Sequence, residues 1–224
     1  MGWLKSLADN TRERSLAVQL RRKRIAWFHA AIEALPRPLR ILDLGGTELF
    51  WQQMGLTNDN AYHITILNLD APAVTATNVT AVAGDARNVG AFANNSFDVV
   101  FSNSVIEHVG NDADQLRMAN EVRRLAPCYF IQTPNRYFPI EPHFLMPLFQ
   151  FYPRWLQVFL IRRFDLGFTR REPDAEAARR TAESVRLLDK ADMARLFPDA
   201  QLLEERLFGL TKSLVAVRAG SELH

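Results

Sequence analysis

Cysteine is nearly missing from this sequence: Cys128 stands alone among 224 residues. That excludes an intrachain disulfide and a cysteine-built metal site, and it suits a reducing compartment, so a cytoplasmic location is expected. Long hydrophobic runs are missing as well. The most apolar stretch, Trp155 to Ile161, is too short to span a bilayer and follows Pro153 and Arg154, and no secretory-type apolar segment follows Met1. There is no internal repeat and no low-complexity tract. Nor is there a large excess of one charge: a net +2 falls short of a nucleic-acid binder's balance, no RNA-binding module is visible, and no nucleic-acid partner is expected. The glycine pattern G-x-G-x-x-G of dinucleotide-binding folds is absent too, which weakens a nicotinamide-dependent oxidoreductase as an alternative.

What is present is a chain with 48% hydrophobic and 23% charged residues, enough to bury a core and read as one domain over residues 1–224. Its first forty residues are basic, with nine Lys or Arg against Asp9, Glu13 and Glu33, including the run Arg21-Arg22-Lys23-Arg24. Apolar residues recur at near-helical spacing from about Thr11 to Leu35 until Pro36 and Pro38, which predicts a leading helix within an N-terminal segment, residues 1–38. Short β-rich runs follow at Leu39–Leu44, His63–Leu69, Val79–Ala83, Phe97–Asn103 and Cys128–Thr133, separated by helical or loop stretches. Most are apolar at successive positions, as expected of strands covered on both faces, so a parallel, doubly wound α/β sheet is predicted. Residues 134–186 differ, being rich in aromatics and arginines without a clear strand, and read as a helical cap inserted into the sheet. Asp189–Leu196 then reads as a helix. Gln201–Phe208 and Ser213–Val217 read as a closing antiparallel pair joined by Gly209-Leu210-Thr211.

The stretch ILDLGGTELF, residues 41 to 50, ends an apolar strand in Asp43 and places Gly45 and Gly46 where a ligand can approach the backbone with no Cβ in the way. In open α/β sheets that edge is where ligands bind. The second run ends in Asp70, placed to accept hydrogen bonds from ribose hydroxyls, and the third is followed by Gly84-Asp85-Ala86. Three neighbouring segments thus bring carboxylates to one edge.

Taken in order, ILDLGGT, ILNLD, AGDARNV, FDVVFSNSVIEHV, FIQTPNRYFPIEPHF and ERLFGLTKSLVAVR resemble the class I S-adenosylmethionine-dependent methyltransferases, over roughly Leu39 to Arg218. The likeness is to the small single-domain enzymes related to quinone-biosynthesis methyltransferases. The resemblance implies a Rossmann-like seven-stranded sheet, mostly parallel with an antiparallel last strand, and a helical cap between its fifth and sixth strands. It also implies S-adenosyl-L-methionine as cofactor, with Asp43, Gly45 and Gly46 at its methionine part, Asp70 at the ribose, Asp85 and Ala86 at the adenine, and Asn103 nearby. The family's D-x-G-x-G-x-G turn is altered, with Thr47 and Leu49 at two glycine positions. A fold-retaining, non-catalytic binding protein is therefore the second reading.

Methyl transfer from a sulfonium needs an aligned acceptor, excluded water and, for a hydroxyl or amine, a base. His108 and His143 are the catalytic candidates, since imidazole titrates near neutrality. Ser104 together with Asn135, Arg136, Tyr137 and Glu141 are the candidate substrate contacts. Some quinone-ring relatives hold a divalent ion with a glutamate three residues before the Glu-His pair; here that residue is Ser104, and no metal is expected. The predicted reaction is transfer to oxygen or nitrogen of a small, apolar or lipid- or glycan-linked acceptor. The basic first helix or the aromatic cap permits peripheral contact with a membrane.

Overall fold

A computed structural model describes the backbone of residues 16–220 and the side chains from Arg22 onward. The part of the predicted leading helix before residue 16 lies outside the described residues. Helix α1 spans Leu16–Ile32, β1 Leu39–Leu44, the short helix α2 Glu48–Gln53, β2 Tyr62–Asn68, β3 Val79–Ala83 and β4 Val99–Asn103. A 3-10 turn at Ile106–His108 leads to α3, Asp112–Leu125, and then to β5, Cys128–Pro134. The cap contains a two-residue ribbon, β6 (Ile140–Glu141) with β7 (Met146–Pro147), and helices α4 (Arg154–Arg163) and α5 (Ala175–Glu183). Helix α6 (Lys190–Leu196) and strands β8 (Gln201–Leu207) and β9 (Leu210–Arg218) complete the chain.

The seven-stranded sheet has the order β3-β2-β1-β4-β5-β9-β8. Strands β1 to β5 are mutually parallel, while β9 runs antiparallel to both β5 and β8. The antiparallel closure is the predicted one. The order reverses between β1 and β4, and the crevice beyond the carboxyl ends of those strands is the binding edge of such a sheet. Among the described residues no helix is long and apolar enough to cross a membrane.

The continuous apolar runs have a simple cause. In β1, Leu39 and Ile41 pack into one core with Phe28, Trp51 and Ile64, whereas Leu42 and Leu44 pack into a second with Met118, Val122 and Leu196. Side chains alternate across the sheet, but both faces are covered, so no polar alternation survives. On the first face Phe28 of α1 meets Trp51, Phe101 and Phe130 edge-on at centroid separations of 6.0, 5.0 and 5.6 Å. The cap has its own cluster of Phe144, Phe149, Ile161, Leu166, Ala178 and Ala182.

Two local expectations change. The cap contains a ribbon where no strand was predicted, because Glu141 draws the chain into a tight turn through the backbone N–H groups of His143 and Phe144. The basic run is not wholly solvated: Arg22 and Lys23 are exposed, but Arg24 turns inward, ion-pairs with buried Glu205 at 3.0 Å and donates to Asn103 Oδ1 at 2.6 Å.

Candidate active site

The glycine turn is built on a buried carboxylate. Asp43 is 1% exposed, and Trp51 Nε1 donates to its Oδ2 at 2.6 Å, while Oδ1 has no hydrogen-bond partner among the described residues. Burial raises the Asp43 pKa to about 7, against the opposing hydrogen bond from Trp51. Asp43 therefore lies under the turn as its support, rather than opening onto the ligand edge as expected from the resemblance. A Cβ on Gly46 would sit 1.5 Å from Asp43 Oδ2, so the glycine is required by what lies beneath it. Gly45 has φ +75° and donates its N–H to Leu67 O at 2.8 Å; Asn68 Nδ2 donates to Gly46 O at 2.8 Å. The altered positions also have a role. Thr47 is the N-cap of α2, accepting from Phe50 N, and Leu49 lies in the first helical turn with its side chain exposed.

Along the same edge, Gly45 is tied to the end of β2, and Gly84 N–H donates to Asn68 O at 2.8 Å, so the ends of β1, β2 and β3 lie side by side. Asp70 is exposed, and its carboxylate pairs with no side chain among the described residues. Its neighbour Leu69 is 76% exposed, an apolar surface beside a free acid that the sequence did not single out. Asp85 differs from expectation. Arg87 Nε donates to both of its oxygens at 2.9 Å, and this pairing lowers the Asp85 pKa, so little acceptor capacity is left for an adenine amine. Ala86 beside it packs against the second core. Asn103 has its Oδ1 taken by Arg24, which brings α1 to the end of β4.

Beyond β4 and β5 a polar cluster forms. Ser104, at φ +58°, donates through Oγ to Gln132 Oε1 at 2.9 Å. Glu107 is fully buried; its Oε2 accepts from Thr133 Oγ1 at 3.0 Å and its Oε1 has no hydrogen-bond partner among the described residues. Glu141, 2% exposed, accepts at Oε2 from the backbone N–H groups of His143 and Phe144 and meets His143 Nδ1 through Oε1 at 2.6 Å. His143 Nε2 then lies 3.0 Å from His108 Nε2, with the two rings nearly perpendicular. Burial alone would lower the His143 pKa, but the hydrogen bond and charge of Glu141, helped by Glu107, outweigh it and raise the value above the usual imidazole range. His108, at the rim, is lowered by desolvation and by the charge of His143.

This pairing of histidines from two loops could not be read from sequence, which gave each separately. Glu107 was missed because a carboxylate before a histidine gives no sign that it will be buried. Glu107, His108 and His143 each offer a ligand atom within 4.8 Å of the others, so the donor set for a cation exists although Ser104 stands where some relatives carry a glutamate.

The remaining candidates divide. Asn135 is a structural tie, its Nδ2 donating to Thr211 O and its N–H to Lys212 O. Tyr137 is exposed and stacked on Phe151. Arg136 and Glu141 line a cavity of about 240 Å³ within the cap, with Phe144, Phe149, Arg154 and Leu187.

Burial pushes the Glu107 carboxyl up to about 7 from an ordinary 4.5, so the folded protein binds a proton that the unfolded chain releases above about pH 4.5. Its contribution is most favourable below that pH and is lost as pH rises through 7. Glu107→Gln should therefore melt close to wild type at pH 5 and above it at pH 8, by up to roughly 2–3 kcal/mol. Equal wild-type and variant melting differences at the two pH values in calorimetry would count against the buried, protonated carboxyl.

A methyltransferase-domain family model matches residues 42–127, from the glycine turn through α3. The fold is shared with several solved structures. The N-terminal domain of EvdMO1, with S-adenosylhomocysteine bound, is 19% identical, with 88% of this chain and 79% of that one covered and a TM-score of 0.53. The 1,6-didemethyltoxoflavin-N1-methyltransferase of Burkholderia thailandensis is 15% identical over 89% and 78% of the two chains, TM-score 0.51. A SAM-dependent methyltransferase of Aquifex aeolicus is 12% identical over 96% of each, TM-score 0.50. An uncharacterized protein of Mycobacterium tuberculosis is 40% identical over 53 residues, 24% of this chain, and this match spans only 18% of that relative's length. The segment matched by the family model contains the glycine turn, the free acid after β2 and the Glu-His pair, and the sheet around it has the predicted antiparallel closure. Residues 42–127 thus match a methyltransferase domain, and the chain shares the fold of the solved methyltransferases named above.

Proposed function

We propose that this protein transfers a methyl group from S-adenosylmethionine to an oxygen or nitrogen of a small acceptor held between the histidine pair and the cap. The observation that carries the reading is the His143–Glu141 dyad, with Nδ1 held at 2.6 Å and Nε2 directed to His108 at the edge where the glycine turn and Asp70 lie. The residues fit the cofactor: Asp70 has a free carboxylate for ribose hydroxyls, and exposed Leu69 offers an apolar surface beside it. When bound, the cofactor supplies an electrophilic methyl group on sulfur.

The chain's own residues do the rest. Glu141 fixes the His143 tautomer, leaving Nε2 to take a proton from the acceptor, and stabilises the imidazolium that results. The cap excludes water from the reacting atoms. The cavity's Phe144, Phe149 and Leu187 suit an apolar acceptor, lipid- or glycan-linked, and Arg136 and Arg154 suit an acidic group on it. No cation is required for this chemistry.

The test is transfer of labelled methyl from S-adenosylmethionine to a panel of hydroxylated and amino acceptors, with calorimetry of S-adenosylhomocysteine alongside. Cofactor binding without transfer to any acceptor would favour a binding protein on the same fold. Asp70→Ala should weaken S-adenosylhomocysteine by about 1–3 kcal/mol, the range for hydrogen bonds to a charged acceptor; an unchanged affinity would remove Asp70 from the ribose site.

A further inference from the structure

The outer face of the cap is apolar and basic together. On α4, Trp155 and Phe159 are 70% and 50% exposed, and Arg162 and Arg163 follow on the same side, while Gln157 and Ile161 turn inward and are buried. Beyond the helix, Phe164 and Phe168 are 53% and 64% exposed, and Arg170 and Arg171 are exposed beside them. Four large aromatic side chains on one short stretch exceed the scattered exposure normal for a soluble surface.

The charge there is largely positive, with Glu172 and Asp174 coming only after Arg171. From Phe151 to Arg171 the chain has five arginines against one acid, Asp165. Among the described residues, none of Arg162, Arg163, Arg170 and Arg171 forms a salt bridge; Arg162 donates to Pro173 O, and Arg163 lies 6.0 Å from the Phe159 ring centroid. The next helix is different, since Arg179 and Arg180 pair with Glu183 and Glu176. A second copy is a poor occupant, because a two-fold contact would set this arginine cluster against itself. Aromatic rings that sit at headgroup depth, ringed by cations, instead match a surface carrying negative charge above hydrocarbon.

We propose that the outer face of the cap, centred on Trp155 and Phe159 and flanked by Arg162, Arg163, Arg170 and Arg171, docks the protein on an anionic lipid bilayer. The proposal does not depend on the methyl-transfer reading. Trp155 and Phe159 enter the interface, and the arginines contact lipid phosphates.

The full chain is sedimented with vesicles of phosphatidylcholine, with and without one quarter phosphatidylglycerol. Binding is expected to the mixed vesicles, at least tenfold weaker to pure phosphatidylcholine, and lost in high salt. Brominated lipid should quench tryptophan emission in the wild type and much less in Trp155→Phe. The double variant Trp155→Asp/Phe159→Asp should bind at least tenfold more weakly with an unchanged melting temperature, as should Arg163→Glu/Arg170→Glu. Three results would each overturn the proposal: no vesicle binding by the wild type; vesicle binding that both double variants retain; or a concentration-dependent dimer, or RNA binding, that the aromatic variant abolishes while vesicle binding persists.

Discussion

Replacing His143 with alanine is expected to lower the methyl-transfer rate by about 10²–10⁴-fold, the usual contribution of a positioned general base. Cofactor affinity should be nearly unchanged, because His143 belongs to the turn between β6 and β7 and not to the glycine turn. The effect should fall on kcat more than on KM, since the proton moves only as the new bond forms. The pH profile supplies an independent check. A base must be neutral to act, and Glu141 raises the His143 pKa above the ordinary imidazole value. The wild-type rate should therefore climb as pH passes above about 6.5. Glu141→Gln removes the hydrogen-bonded charge, so the inflection should move to lower pH and the plateau should fall. A chelator should leave the wild-type rate unchanged. A rate restored by added zinc after chelation would instead assign Glu107, His108 and His143 to a cation, and a His143→Ala rate within a few-fold of wild type would remove the base.

The second large effect is expected at Gly46. An alanine Cβ there would meet Asp43 Oδ2 at 1.5 Å, and this is the oxygen bonded to Trp51. Relief means moving a buried carboxylate off its Trp51 donor or shifting the turn. Overpacking and an unsatisfied buried acceptor each cost about 1–3 kcal/mol. A loss of roughly 3 kcal/mol is expected, or about 6–12 °C in melting temperature for a domain of this size. S-adenosylhomocysteine binding should fall with it, because the displaced turn faces the ligand edge. Gly90→Ala is the control: its nearest neighbour is Asn88 Oδ1 at 3.4 Å, and stability should change by less than about 0.5 kcal/mol. Equal melting of the two variants would show that Asp43 does not fix the turn.

The sheet was legible because its signals are local and repeated. Strand Leu39–Leu44 is apolar on both of its faces, which demands cover on each side, and the two cores that receive Ile41 and Leu42 supply it. The position of Asp70 just after β2 was legible because a carboxylate near a strand end needs no tertiary information. The histidine pair was not. His108 and His143 are 35 residues apart, and their meeting depends on how Glu141 folds the ribbon. Asp43 and Asp85 show the opposite limit: both acids reach the predicted strand ends, but Trp51 binds one oxygen of Asp43 and Arg87 binds both of Asp85, and nothing in the spacing announces such partners. Arg24 was hidden in the same way, since a run of four basic residues looks solvated until Glu205 is placed beneath it.

The cap's separate apolar cluster has one more consequence. Phe144, Phe149, Ile161, Leu166, Ala178 and Ala182 pack with one another and not with either layer beside the sheet. Such a unit can loosen while the strands hold, giving a bulky guest a way in without melting the scaffold. It can also be rebuilt piecemeal, so that this lobe is altered while the rim carrying the glycine turn stays as it is.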